Sequence, residues 1–157
     1  MISIIAAVGK NNELGKNNKL IWHIPADMKF FKDTTLNHIV VMGWNTFKSL
    51  PAPLKDRHMI IVSKSHSDDS LEIIKDPQEI IDKYYDDKQE IFIIGGASLY
   101  QYFIDYAKSL YLTEIDDTCI EADTFFPTFD KSEWQDNILQ EDTHKNIKYK
   151  IHKYIKK

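Results

Sequence analysis

Short, nearly continuous apolar runs recur along this chain, and they constrain its fold more than any other feature. Each run is followed by a glycine or a polar stretch, and each is too short to span a membrane as a helix. Runs of this length are typical of strands that are buried on both faces of a parallel sheet. They occupy residues 2–8, 38–43, 58–63, 91–96 and 110–115, with a shorter run at 71–74.

Between these runs, apolar residues follow the spacing of amphipathic helices. After Pro25 the spacing i, i+4, i+7 and i+11 predicts a helix whose inward face is formed by Ile24, Met28, Phe31 and Thr35. Further helices are predicted at 44–50, from Pro77 (with Ile80, Ile81 and Tyr84), and after Gly96, with a buried face of Leu99, Tyr102, Phe103 and Tyr106. Residues 10–19 are predicted to form a long polar loop, and residues 134–154 an antiparallel hairpin that turns near 144–146.

The alternation of strands and helices predicts an α/β fold class. We expect a single domain over residues 1–157, built in three layers around a mostly parallel eight-stranded sheet with an antiparallel C-terminal hairpin. A chain of 157 residues is long enough to bury a substantial core.

Composition excludes several classes of function. A net charge of −4 and a pI near 5.8 disfavour general nucleic-acid binding. The single cysteine, Cys119, excludes an intrachain disulfide and a cysteine cluster for zinc, and no metal site is expected. The first apolar run lacks the basic flank and cleavage site of a signal peptide, so the sequence predicts a cytoplasmic protein with no membrane partner.

Asp27 is the first candidate functional residue, because its helical position sets a carboxylate beside apolar surface. Phe30 and Phe31 lie three and four residues further on, and Trp22 lies just upstream. Burial would disfavour the charged form and raise the pKa of Asp27, unless a cation or a donor compensates. Such a carboxylate can hold a proton or bind a cationic ligand. The alternative is an exposed aspartate in the first turn of a helix.

Two glycine turns and one arginine add candidate ligand contacts. Gly95-Gly96 separates a strand from a helix, and Gly43 does the same before Trp44. Glycine lets the backbone approach a ligand closely, so two such turns suggest a dinucleotide with its pyrophosphate across them. No G-x-G-x-x-G motif follows the first strand, which disfavours an ordinary Rossmann dehydrogenase. Arg57, the only arginine, suits a carboxylate ligand, although it can also be a plain surface residue.

Taken in order, these residues resemble bacterial dihydrofolate reductase over essentially the whole chain. No single motif is decisive, but the order and the spacing together are specific. The matching residues are the opening Ile5-Ala6-Ala7 strand, Gly15, Trp22, Pro25-Ala26-Asp27, Phe31, Met42-Gly43, Thr46, Leu54, Arg57, Gly95-Gly96, Tyr100, Leu110-Tyr111-Leu112-Thr113, Asp123-Thr124 and Phe126-Pro127.

The resemblance implies an enzyme that transfers a hydride from NADPH to 7,8-dihydrofolate, binds antifolate inhibitors and acts as a monomer. It implies Asp27, Trp22, Thr113 and Tyr100 as catalytic residues, with Asp27 on the pterin, Thr113 supporting it and Trp22 holding an ordered water. For the substrate it implies Ile5, Asp27, Met28, Phe31, Leu50, Leu54, Arg57, Ile94 and Thr113. For the cofactor it implies Ala7, Leu14, Gly15, Asn18, Gly43, Trp44, Asn45, Thr46, Ser63, Lys64, Gly95, Gly96, Ala97, Ser98, Leu99 and Thr124.

The chain departs from the family pattern where the cofactor's 2′-phosphate is expected. Trp44 stands where relatives usually carry an arginine, and Lys64 stands where a small polar residue or histidine is frequent. We expect Lys64 to replace the missing charge and Trp44 to stack on adenine. Ser98 and Ala52 also replace arginines, and Ala122 replaces a frequent glycine. Ile21 replaces a common proline at the end of the loop over residues 9–21, which the resemblance implies closes over the nicotinamide.

Two other functions compete with this interpretation. One is the related pyrimidine reductase of riboflavin synthesis, which would share the sheet and the cofactor turn but would not need Asp27, Phe31, Arg57 and Thr113 together. The other is a nucleotide-binding module without catalysis, and the intact Asp27 and Trp22 argue against it.

Overall fold

The computed structural model of the chain describes all 157 residues and contains eleven strands and four α-helices. In chain order they are β1 (Ile2–Val8), β2 (Glu13–Lys16), β3 (Lys19–Leu20), α1 (Pro25–Thr35), β4 (Ile39–Gly43), α2 (Trp44–Ser49), β5 (His58–Val62), β6 (Ile73–Ile74), α3 (Gln78–Tyr84), β7 (Ile91–Gly95), α4 (Ala97–Phe103), β8 (Ser109–Ile115), β9 (Thr124–Phe125), β10 (Trp134–His144) and β11 (Ile147–Lys156). Short 3₁₀ turns lie at Ile104–Tyr106 and Lys131–Glu133.

Eight of the strands form one sheet in the order β10-β11-β8-β1-β7-β4-β5-β6. Strands β8, β1, β7, β4, β5 and β6 run parallel, whereas β11 pairs antiparallel with both β8 and β10. The pairing of β10 with β11 shifts register between Ile138 and Gln140. The predicted mostly parallel eight-stranded sheet with a C-terminal hairpin is therefore confirmed.

Helices cover both faces of the sheet, because successive strand residues point to opposite sides. On β1, Ile4 packs in the cluster that holds the buried faces of α3 and α4, and Ile5 packs in the opposite cluster. The second cluster contains Phe92 and Tyr111 of the sheet, with Phe31 of α1 packed against it. This arrangement gives the three predicted layers.

Two helical faces differ from their predictions. In α4 the buried residues are Leu99, Tyr100 and Phe103, while Tyr102 and Tyr106 are each 37% exposed. The α-helix ends at Phe103 and continues as a 3₁₀ turn, so the predicted α-helical spacing does not extend to Tyr106. On α1, Ile24 and Thr35 are buried, but Met28 is 45% exposed and lies outside the packed clusters.

The predicted polar loop at 10–19 is also wrong in part, because β2 pairs with β3 and β9 in a small antiparallel sheet. Asn12, Asn17 and Asn18 take positive φ angles of 64°, 51° and 61°, which asparagine tolerates better than most residues and which allow the tight turns. The predicted fourth strand is shorter than expected and pairs only at Ile73–Ile74. None of the helices is long and apolar enough to cross a bilayer.

Candidate active site

The candidate site lies at the carboxyl ends of the parallel strands, where open α/β sheets bind their ligands. Strands β1, β7, β4 and β5 are adjacent and run in the same direction, so Val8, Gly95, Gly43 and Val62 end at one edge. Helix α1 lies over the same region and brings Asp27 to Thr113, near the end of β8.

Asp27 is a half-buried carboxylate that accepts a hydrogen bond from the Thr113 hydroxyl through Oδ1. Burial raises the pKa of Asp27, and the bond from Thr113 opposes that rise only in part. The predicted pairing of Asp27 with Thr113 and the predicted direction of the pKa shift both occur. A carboxylate held this way favours a ligand that brings its own positive charge or N–H donors.

Trp22 forms its hydrogen bond with the loop that follows β8. Its indole Nε1 donates to Asp117 Oδ2 at 2.9 Å, and this bond is the largest cause of a pKa of Asp117 below its usual value. A Cβ atom at Gly9 would collide with the Trp22 ring and lie 2.5 Å from Glu13 Oε1. Glycine at position 9 therefore lets the indole pack beside β1.

Glu13 was not singled out by sequence reasoning, yet it joins the two loops beside the site. It is 1% exposed, and its carboxylate accepts the backbone N–H groups of Asn11 and Cys119, each at 2.7 Å. Asp123 adds a second link, because its Oδ2 accepts the N–H of Asn17 at 2.8 Å. The available signal was the asparagine-rich run on both sides of residues 13–16, which is typical of turns that flank a short strand.

The glycine turn after β7 forms a narrow cradle. Gly95 has a φ of +136°, and a Cβ there would lie 3.1 Å from Thr46 Oγ1 and 3.6 Å from the Tyr100 hydroxyl. Gly43 faces the same turn, because its own Cβ would lie 3.9 Å from the backbone nitrogen of Gly96. The backbone at Gly43 thus lies close to the backbone at Gly96, and neither glycine places a side chain on the turn.

Tyr100 lies beneath this turn. The ring is buried, its hydroxyl donates to the carbonyl oxygen of Ile5 at 2.9 Å, and burial raises its pKa well above the usual value. Tyr100 therefore stays protonated at neutral pH and ties α4 to β1.

The predicted substrate-lining residues mostly come together. Ile5 is buried, and Phe31, Leu50, Leu54 and Ile94 pack half-buried against its cluster. Met28 is 45% exposed and is not packed in this cluster, so its place in the substrate cleft stays a prediction.

Arg57 is held in place by protein acceptors that leave part of its guanidinium free. Nε donates to Thr35 Oγ1 at 3.2 Å, Nη1 to the Lys55 carbonyl at 2.5 Å, and Nη2 to the Lys32 carbonyl. A guanidinium has five N–H groups, so one remains on each terminal nitrogen. Two such groups in one plane match a carboxylate.

At the end of β5 the structure shows a side-chain pair that sequence reasoning missed. The Trp44 ring is stacked on His66, with centroids 4.0 Å apart and an interplanar angle of 11°. One face of Trp44, expected to stack on adenine, is therefore covered by His66. Ser63 lies beneath this pair and Lys64 is exposed beside it.

The remaining predicted cofactor contacts fall into two groups. The first group lies at the glycine turns and comprises Asn45, Thr46, Ala97 and Ser98. The second group comprises Ala7 on β1, Leu14 and Gly15 on β2, Asn18 between β2 and β3, and Thr124 on β9. Leu99 differs from both groups, because its side chain is buried in the main core. No cluster of three or more His, Cys, Asp and Glu side chains is arranged to hold a metal ion.

Comparison with known proteins assigns the family. The family model described as dihydrofolate reductase matches residues 1–156. Dihydrofolate reductase of Haemophilus influenzae is 38% identical over 133 residues, which cover 85% of this chain and 82% of the relative. Dihydrofolate reductase of Bacillus subtilis is 37% identical over 137 residues, covering 86% and 80%.

A solved structure is similar over nearly the whole fold. Dihydrofolate reductase from Enterococcus faecalis, in complex with NADP(H) and RAB-propyl, superposes with a TM-score of 0.87 and 29% identity, covering 99% of this chain and 96% of that one. On this sequence match and this shared fold, the chain belongs to the dihydrofolate reductase family.

Proposed function

We propose that this chain reduces 7,8-dihydrofolate to 5,6,7,8-tetrahydrofolate with NADPH, as a single catalytic domain. The observation that carries the proposal is the Asp27–Thr113 pair, a half-buried carboxylate with a raised pKa at the carboxyl edge of the sheet. Family membership supports the same reaction.

Asp27 binds the amino-pyrimidine edge of the pterin in this proposal, and the Thr113 hydroxyl keeps the carboxylate oriented. An anion in partly buried surroundings stabilises positive charge on the substrate strongly, because the site is already arranged when charge develops. Asp27 binds the edge of the pterin opposite N5, the atom that must be protonated. A water molecule therefore delivers the proton to N5. Ile5, Phe31, Leu50, Leu54 and Ile94 supply the apolar walls, and the two free N–H groups of Arg57 bind the substrate carboxylate.

The glycine turns fit the pyrophosphate of NADPH, because a Cβ at Gly95 or Gly96 would fill the space above Thr46. Helix α4 begins directly after Gly96 without a side-chain cap, so its first backbone N–H groups are free to meet an anion. When bound, NADPH supplies the hydride.

The decisive experiment compares Asp27→Asn with Asp33→Asn by the loss of nicotinamide absorbance with dihydrofolate. Asp33 is on the same helix but exposed, where it pairs with Lys29 at 2.6 Å. Loss of a charge-assisted contact of about 1.5–3 kcal/mol lowers kcat/KM of Asp27→Asn about 10- to 150-fold at neutral pH, while Asp33→Asn keeps wild-type activity. Activity of Asp27→Asn within about twofold of wild type would contradict the role of the carboxylate.

The same assay separates the alternatives. A pyrimidine reductase of riboflavin synthesis is not expected to turn over dihydrofolate. Turnover of dihydrofolate by the wild type would therefore argue against that alternative. Nucleotide binding without any turnover would favour the non-catalytic module. The cytoplasmic location and the monomeric state stay predictions, and light scattering at the monomer mass of 18.4 kDa tests the second.

A further inference from the structure

The Trp44–His66 stack holds an imidazole at one end of the candidate cofactor edge. Trp44 begins α2 directly after β4, and His66 lies four residues beyond the end of β5, so the stack joins two adjacent loops. Both side chains lie at least partly in solvent. A stack of this closeness between loops restricts where the imidazole can point.

Ser63 fixes which imidazole nitrogen is free. Its Oγ accepts the backbone N–H of His66 at 3.2 Å and lies 2.8 Å from His66 Nδ1. Nδ1 also lies 3.3 Å from Ser65 Oγ, which is exposed. The buried Ser63 hydroxyl has no acceptor other than Nδ1 among its hydrogen bonds, so we assign it as the donor to Nδ1, and a neutral ring then carries its proton on Nε2. The N–H at Nε2 has no partner among the protein hydrogen bonds of His66. It is therefore a donor ready for a ligand.

The strand order places this donor at the far end of an extended dinucleotide. Ala7 lies on β1, the glycine turn ends β7, Gly43 ends β4, and Ser63 follows β5. Neighbouring strands are about 4.8 Å apart, so β1 and β5 are separated by about 14 Å. A nicotinamide at β1 and a pyrophosphate at β7 and β4 leave the adenosine ribose beside β5.

Two lysines lie beside the stack, and two aspartates, Asp68 and Asp69, follow His66 in the same loop. Lys64 is exposed in the same loop, and Lys48 Nζ lies 5.8 Å from the Trp44 ring centroid. Asp68, two residues after His66, accepts hydrogen bonds from the N–H and hydroxyl of Ser70 at 2.9 and 2.6 Å. Its carboxylate is thus engaged within its own turn.

We propose that His66 determines specificity for the phosphorylated cofactor, with Trp44 as its platform and Nε2–H donating to the 2′-phosphate of NADPH. The inference rests on the proposed function for the placement of the cofactor. In this inference Trp44 does not stack on adenine. Its indole instead orients His66, which contacts the 2′-phosphate. His66 acts in binding and takes no part in hydride transfer.

The test measures binding of two nucleotides by calorimetry, independently of turnover. The probes are 2′,5′-ADP and 5′-ADP, which differ in the phosphate at issue. His66→Phe keeps a flat ring on Trp44 but removes the donor, and His144→Phe makes the same change on the C-terminal hairpin. We expect His66→Phe to weaken 2′,5′-ADP about 5- to 20-fold, as for one charge-assisted hydrogen bond at a partly exposed site, and to change 5′-ADP less than about twofold. Trp44→Leu should weaken 2′,5′-ADP in the same direction, and His144→Phe should change neither probe.

Three results would overturn the inference. They are unchanged affinity of His66→Phe for 2′,5′-ADP, an equal loss for both probes, and a wild type that binds the two probes equally. Failure of the proposed function has a different signature. A wild type that prefers 2′,5′-ADP and loses that preference in His66→Phe, but does not turn over dihydrofolate with NADPH, would retain the assignment of His66 and remove the reductase reaction.

Discussion

Glu13 offers the sharpest test of how the loops beside the active site are held. Each oxygen of its buried carboxylate accepts one backbone N–H at 2.7 Å, from Asn11 and from Cys119. Burial by itself raises the pKa of Glu13, but the backbone N–H groups of Cys119, Glu13 and Asn11 outweigh it and hold the pKa below its usual value. The ionised form is therefore the one that the folded protein stabilises.

The expected cost of Glu13→Gln follows from those contacts. The amide keeps one accepting oxygen but turns an NH₂ group toward the second donor, so about one charge-assisted hydrogen bond is lost, worth about 2 kcal/mol. For a chain of this size, a loss of about 2 kcal/mol lowers Tm by about 4–8 °C. Hydrogen exchange at the Cys119 amide should also accelerate, because that N–H loses its acceptor.

The matched control is Glu121→Gln. Glu121 links the same two loops through Lys16, but this ion pair lies in solvent, so its loss should leave Tm nearly unchanged. The pH dependence adds a second check. Because the folded pKa of Glu13 is lowered, its contribution is complete above the unfolded pKa of about 4.3 and is lost as the pH falls through the folded value. The difference in Tm between wild type and Glu13→Gln should therefore be constant near neutrality and shrink in acid. Equal Tm values at pH 7 together with unchanged exchange at Cys119 would refute this reasoning.

Three further changes test the site. Gly95→Ala should lower the free energy of unfolding by about 1–3 kcal/mol, because an alanine at this positive φ is strained. Gly43→Ala is the control, since its Cβ would meet no atom closer than 3.9 Å, and chemical denaturation compares the two variants. Arg57→Lys should raise KM for dihydrofolate about tenfold and leave kcat nearly unchanged, since an ammonium cannot reproduce the planar fork; a fall in kcat alone would speak against substrate binding. Lys64→Ala should cut the kcat/KM preference for NADPH over NADH about fivefold, and a variant that keeps the wild-type preference would show that Lys64 is not a phosphate contact.

Structural features that depend on residues close together in the chain were predictable from the sequence. The β-branched runs identified every long parallel strand, since a strand buried on both faces needs apolar residues without alternation. Asp27 could be singled out because helical spacing alone places Phe31 beside it. These predictions depend on neighbours within a few residues.

Features that depend on distant side chains were not predictable in this way. Glu13 reads as a polar loop residue, and its burial depends on Cys119, more than one hundred residues away. The stack of Trp44 on His66 depends on two loops that meet because β4 and β5 are adjacent. In each case the deciding partner is set by topology.

The two outer strands of the large sheet have a consequence for self-association. An edge strand exposes unpaired backbone groups that can recruit another chain, and natural proteins blunt it by shortness, bulges or charge. Strand β6 has only two residues, and β10 is interrupted by the register shift between Ile138 and Gln140. That shift lies where Ile138 and Leu139 are 50% and 49% exposed, and Glu141 and Asp142 follow after Gln140. The irregular, acidic edge lets the protein carry two apolar side chains on its outermost strand without offering a flat template for aggregation.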